Sequence, residues 1–418
     1  MDPKEKIKKF VALTTGDGLK NGFIIRFWDG EEWVVPSAGD PGFKLVLKSQ
    51  GAIRNTIFPP SELNATEAYL FDEFDIEGDM FAVFETAYEL AGIKRGKGEL
   101  LKLFLEILKL PKAPKKKVND FAKKLPGELH SIERDKEAVS YHYDMSDDLY
   151  RLWLDPEMIY SCAYFKTRET PLEQAQLDKL DYICAKLDLK PGEKLLDAGC
   201  GWGALVVHAA RKFGVDATGV TLSKNQAAHA NRRIKELGLE ERCRVEVRDI
   251  RSLQGEKFDK ISSVEMLHHI GYTSLSGYFG TIKNLLKPGG LSFQLGVTNN
   301  AAKGRYRGPV FAPKYFMPDY DLSPIGEYLK IAEKAGFEIY DVEDLRQHYE
   351  LTARHWLKRI EDKHNEIAPV TGEVMFRVYR LSMALMAYGF YANMINLYHF
   401  VIRNSEGKGN FPPLTRWF

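Results

Sequence analysis

The stretch KLLDAGCGWGALVVHAARKFGVDATGVTLSKNQ, Lys194 to Gln226, decides the fold. Lys194, Leu195 and Leu196 begin a short apolar strand that ends at Asp197. Gly199, Gly201 and Gly203 then make a G-x-G-x-G turn, and the apolar spacing predicts a helix from about Ala204 to Lys212. A β-branched strand, Val215 to Val220, closes a βαβ unit with a right-handed crossover. The glycines let backbone approach a ligand where a Cβ would clash, and the helix start offers unpaired N–H groups.

A nucleotide-binding dehydrogenase would also carry a glycine-rich turn. Dehydrogenases, however, favour G-x-G-x-x-G and an acid at the end of the second strand. Here that end reads Gly219-Val220-Thr221-Leu222-Ser223, with no carboxylate, and the acid stands before the glycines as Asp197. This order resembles the class I S-adenosylmethionine (SAM) methyltransferases, in which the acidic strand end helps hold the methionine part. The plain alternative is a strand–turn–helix with no ligand.

At 418 residues the chain is too long for one ordinary core and suggests two domains. A composition of 44% hydrophobic and 28% charged residues is globular, and a net charge of +1 selects no partner. Cys162, Cys184, Cys200 and Cys243 lack metal-ligand or disulfide-framework spacing, which points to a reducing cytoplasm. The start, MDPKEKIKKF, is charged and amphipathic rather than a signal peptide.

Residues 1–93 read as a small mixed domain. Phe23 to Val35 is a hairpin candidate with Asp29-Gly30 at its turn, and Lys44 to Lys48 alternates like another strand. The acids Asp72, Glu73, Asp75, Glu77 and Asp79 read as a solvated rim. Residues 94–124 then carry eleven Lys or Arg against three acids, around a Leu/Phe-rich helix that Pro111 and Pro114 stop. A basic helix of this kind suits an anionic membrane surface, where each nearby Lys adds about 1 kcal/mol. A domain-packing helix followed by a lysine linker is the other reading. Nucleic acid is disfavoured, because no aromatic platform accompanies the charge.

From Ser140 the motifs become specific. Tyr141-His142-Tyr143-Asp144-Met145-Ser146 leads on to Leu154-Asp155 and Tyr160-Ser161-Cys162-Ala163-Tyr164-Phe165. With DAGCGWG, VTLSKNQ, the run Phe376 to Arg403 and the N-terminal EAYLFDEFDIEGD, this resembles the cyclopropane-fatty-acid synthase family, mycolic-acid cyclopropane synthases included. The resemblance covers most of the chain. It implies an α/β fold: a Rossmann-type class I SAM methyltransferase, 125–418, with a helical acyl-binding cap, behind the small mixed N-terminal domain, 1–93, and the basic connector, 94–124. It also implies Tyr160, Ser161, Asp197, Gly199, Gly201, Thr221, Leu222 and Gln226 around SAM, with Asp249 and Ile250 facing the adenine.

The implied reaction is attack of a cis double bond, in a phospholipid acyl chain, on the sulfonium methyl. An isolated alkene is a poor nucleophile, so alignment and exclusion of water are required. A carbocation follows, which aromatic faces stabilise and from which a base removes a proton. Family synthases hold bicarbonate as the proposed base with a cysteine, a glutamate, a histidine and a tyrosine. Cys162 and Tyr349 match the first and last. His268 stands where the glutamate should be, Leu295 where the histidine should be, and Glu265 where the synthases carry glycine. Bicarbonate is therefore doubtful, and Glu265 or His268 is expected to be the base. A base placed differently takes a different proton, which favours a methylene- or methyl-branched product over a cyclopropane.

Other readings stay open. His268-His269 lacks a third metal ligand at useful spacing, so no metal is expected; Cys162 as a nucleophile is disfavoured beside a buried polar role. Leu381 to Ile402 holds no formal charge over 22 residues, yet its polar interruptions favour a buried helix or acyl-tunnel wall over a membrane span. Expected partners are unsaturated phospholipid acyl chains and the inner membrane surface, with a homo-oligomer and a separate reductase compatible. Rival classes are a non-catalytic lipid-binding protein and a methyltransferase for soluble small molecules or proteins.

Overall fold

The alternation of short apolar runs with amphipathic stretches between 172 and 300 folds as expected, into parallel strands joined by helices. The computed structural model describes residues 2–16, 19–112, 127–143, 146–300, 302 and 310–405, with backbone alone for 138–143. Asp144, Met145, Pro114 and the lysines Lys115, Lys116, Lys117, Lys123 and Lys124 lie outside the described residues.

The chain divides into two compact units. One is Met1–Lys123 with Pro309–Phe316 and Ala368–Tyr388; the other is Lys124–Gly308 with Met317–Ile367 and Gly389–Phe418.

In the first unit, β1 (Gly22–Arg26) pairs antiparallel with β2 (Glu32–Val34) across the Asp29-Gly30 turn, where Gly30 has φ +92. β1 also pairs parallel with β3 (Pro41–Leu47), which pairs antiparallel with β4 (Phe74–Gly78). The acidic run is only partly a rim. Arg377, its side chain 5% exposed, pairs at 3.0 Å with both Asp72 and Asp75 and donates to the Tyr69 carbonyl at 2.7 Å. A buried guanidinium demands such partners, which ties the distant helix Glu373–Tyr391 to this sheet.

The second unit is built on a seven-stranded sheet. Its strands are β5 (Lys194–Ala198), β6 (Asp216–Thr221), β7 (Cys243–Val247), β8 (Phe258–Val264), β9 (Leu286–Asn299), β10 (Glu338–Asp344) and β11 (Ile395–Arg403). The order is β10-β11-β9-β8-β5-β6-β7, parallel except for β11, which runs antiparallel to both neighbours. The order of connection reverses between the parallel neighbours β5 and β8, so a crevice opens at their carboxyl ends. Leu196, Ile261, Phe279, Ile282, Phe400 and Ile402 are core residues on this sheet.

The uncharged run Leu381 to Ile402 is not one buried helix. Its first half ends the helix Glu373–Tyr391, and its second half is β11. Asn393, at φ +53, makes the break, and burial within the sheet explains the missing charge. Among the described residues no helix is long and apolar enough to cross a membrane.

Candidate active site

The turn after β5 is built for close approach. Gly199, Gly201 and Gly203 hold φ of +75, +53 and +84, which L side chains resist. A Cβ on Gly203 would lie 2.8 Å from the Ala230 Cβ of the neighbouring helix Lys224–Glu236. The N–H groups of Gly199 and Cys200 both donate to the Val220 carbonyl at 3.0 Å, locking the turn to β6.

A cavity of about 580 Å³ opens over this turn, within the size range of small-molecule sites. Tyr160, Ser161, Asp197, Gly199 and Gly201 lie on its wall, as do Thr221, Leu222 and Gln226. Thr221 Oγ1 donates to Gln226 Oε1 at 2.7 Å, so the end of β6 and the next helix fix each other. Asp197 is 3% exposed and accepts from Ser262 Oγ at 2.7 Å; burial pushes its pKa up to about 7. Asp249 and Ile250 line the same cavity, but the Asp249 carboxylate is engaged by Arg251 Nη2 at 2.6 Å.

Glu265 follows β8 directly, in the left-handed region at φ +56. Its N–H donates to the Leu295 carbonyl at 2.9 Å, which continues the β8–β9 ladder by one step. The side chain turns to the cavity wall, where Oε1 accepts from the Cys162 N–H at 2.6 Å and Oε2 from the Tyr349 hydroxyl. Burial pushes the carboxyl up to about 7, against the pull of Tyr349, the Cys162 N–H and Lys179. Tyr349 itself is held well above its usual range by burial and by Glu265, so it stays protonated as a donor.

Tyr349 stands on the helix Arg346–Asp362 and stacks on Phe390 at 4.7 Å between ring centres. Trp356 joins it edge-on to Tyr160 at 5.2 Å, and Tyr160 meets Trp153 at 5.0 Å. An aromatic bank therefore runs from the cavity wall past Glu265. Of the aromatics in the run Leu381 to Ile402, Phe390 belongs to it, while Phe400 is in the sheet core and Tyr388 packs on Phe81 in the first unit.

The structure brings Glu265, Tyr349 and Cys162 together and leaves His268 out. Cys162 touches Glu265 through its backbone; the residue is 1% exposed, and its thiol faces the Ala163 carbonyl at 3.2 Å and is pushed well up by burial. His268 is 6% exposed and is not among the residues on the cavity wall. Its neighbour His269 does line the cavity, with a buried Nε2 that has no hydrogen bond, and burial pushes it down to about 4.

Sequence reasoning passed over Lys179, a cavity residue on the helix Leu172–Lys186 that reads as one more surface lysine. It also passed over Asp341, Glu343 and His399, which cluster where β10 meets β11. Lys186 bridges those two carboxylates, lying 3.2 Å from Glu343, so the charge there is met from within the chain. Among the described residues no trio of metal-holding spacing includes His268 or His269.

Comparisons with known proteins agree with this geometry. Residues 130–400 match the family model described as mycolic acid cyclopropane synthetase. The chain is 33% identical over 397 residues to a probable fatty acid methyltransferase of Pseudomonas putida, covering 94% of each protein. It is 32% identical over 370 residues to the probable fatty acid methyltransferase Rv3720 of Mycobacterium tuberculosis, covering 86% of each. Its fold matches that of the mycolic acid cyclopropane synthase CmaA1 complexed with S-adenosylhomocysteine (SAH) and CTAB, at a TM-score of 0.61 and 30% identity, over 64% of this chain and 98% of that one.

Proposed function

Because the chain belongs to the mycolic acid cyclopropane synthetase family of SAM-dependent methyltransferases, we propose that it methylates the cis double bond of unsaturated acyl chains in membrane phospholipids, leaving a methylene- or methyl-branched chain. The observation that carries the branched product is the Glu265 carboxylate, held on the cofactor cavity wall by Tyr349 and the Cys162 N–H. Those two groups match two of the positions that the family uses for an external anion. A carboxylate tethered to β8 fills the role from within the chain.

The cavity fits SAM: the glycine turn admits backbone contact, and Asp197 faces the space at the strand end. When bound, SAM supplies a methyl group on a positively charged sulfur. Tyr160, on the cavity wall and backed by Trp153 and Trp356, is the aromatic placed to exclude water from the reacting double bond and to face the carbocation that forms on the acyl chain. With a pKa near 7, Glu265 is substantially ionised at neutral pH and able to take up a proton. After a 1,2-hydride shift along the chain, loss of a proton from the new methyl leaves an exocyclic methylene, and a separate reductase would convert it to a methyl branch.

Membrane access is supported by the helix Lys97–Lys109. Leu101, Phe104, Leu105 and Leu108 recur at helical spacing and are 60%, 46%, 48% and 43% exposed, beside Lys97, Lys102 and Lys109. An outward apolar stripe flanked by lysines matches an anionic bilayer interface, and the protein is proposed to act from the inner membrane face. Proton NMR and mass spectrometry of lipids from an expressing host test the reading. Vinylidene protons in the phospholipid fraction are expected; cyclopropane ring protons would defeat the branched product, and unmodified lipids would defeat lipid methylation.

A further inference from the structure

We infer that Lys179, with Ser161, anchors the α-carboxylate of the cofactor's methionine end, opposite Asp197, so that the cavity reads the amino acid as a zwitterion. This rests on the SAM reading of the cavity and adds to it the group that recognises one pole of the ligand.

Lys179 projects from the helix Leu172–Lys186, is 5% exposed, and lies on the cavity wall. Its one hydrogen bond is to Ser161 Oγ at 2.6 Å, and among the described residues no carboxylate stands within ion-pair distance of its Nζ. A buried ammonium without a counter-ion is costly, and proteins retain one where a ligand supplies the missing charge. Burial pushes its pKa down to about 8, and the more distant Glu265, Asp155 and Asp197 only partly offset this.

The surroundings are fixed rather than adaptable. Gln176, one turn earlier on the same helix, donates to the Ser161 carbonyl at 3.0 Å, so the helix grips the loop that carries Ser161 by both backbone and side chain. Asp197 gives the same cavity a negative pole, buried and bound to Ser262. A free amino acid end carries one positive and one negative group, and Asp197 and Lys179 give it a buried cavity partner for each.

The test uses isothermal titration of the full chain with SAH and with decarboxylated SAH, which keeps the ammonium and lacks only the carboxylate. The wild type is expected to bind SAH about tenfold or more tighter than the decarboxylated ligand, as suits a charge-assisted hydrogen bond. Lys179→Met should lose about that factor for SAH while binding decarboxylated SAH within about twofold of wild type. Equal affinity of the wild type for the two ligands overturns the inference without any variant. So does a Lys179→Met protein that loses both ligands alike, which marks a packing role, or that keeps SAH unchanged. Failure of the wild type to bind either ligand would sink the cofactor reading and this inference together.

Discussion

Two sets of acids in the second unit meet opposite fates. At the junction of β10 and β11, Asp341 lies beside His399 at 3.1 Å and beside Lys186, and its carboxyl is held well below the usual carboxylate range. On the cofactor cavity wall, Glu265 and Asp197 have no cation within ion-pair distance among the described residues, and both are pushed up to about 7. The first set is internally neutralised and holds elements together. The second keeps its charge unmet, which is costly for folding and useful for moving protons and binding a charged ligand.

The comparison can be broken most sharply at Glu265. Glu265→Gln keeps the shape and removes the base, so methyl transfer from labelled SAM to lipid should fall about 100-fold or more, with SAH affinity within about threefold of wild type. Substantial transfer by this variant would place the base elsewhere.

Lys186→Met attacks the other set. It strands Asp341 and Glu343 without their ammonium, and because both acids are partly exposed the loss should be about 2 kcal/mol in denaturant unfolding, below the figure for a fully buried pair. Turnover per folded molecule should hold. A variant as stable as wild type but catalytically impaired would reverse the roles assigned to the two sets.

Tyr349→Phe removes a donor to the ionised form of Glu265, so the Glu265 pKa should rise further. The rate at pH 7 should drop about tenfold, and the rising limb of the pH–rate curve should move to higher pH. A fall without that displacement would assign Tyr349 to packing alone.

The last effect is on how stability varies with pH. Glu265 has a folded pKa raised to about 7, so it favours the fold at low pH, and that contribution is lost as pH rises toward and through 7. Normalised at pH 5, Glu265→Gln should therefore gain about 2 kcal/mol on wild type by pH 8. Asp341 has the opposite sign: its contribution is present above the ordinary carboxylate pKa and disappears on strong acidification.

The sequence announced the βαβ unit and its glycine turn because local periodicity and turn chemistry are written in neighbouring residues. The residues expected around SAM do line one cavity, since strand ends in a doubly wound sheet converge by topology. What stayed illegible depends on distance along the chain. Glu265 could be seen replacing a glycine, but not that its left-handed backbone turns the carboxylate to meet Cys162, 103 residues earlier, and Tyr349, 84 later. Lys179 looked like a surface lysine until Ser161 and the cavity closed over it. β11 looked like helix because a strand buried within a sheet loses the polar alternation that marks strands.

The most direct test of the central claim is single-turnover methyl transfer in carbonate-free buffer, with and without added bicarbonate, for wild type and Glu265→Gln. The account predicts one wild-type rate in both buffers and a variant slow in both. A wild type that needs bicarbonate, or a variant that keeps pace with it, would contradict a base carried by the chain itself.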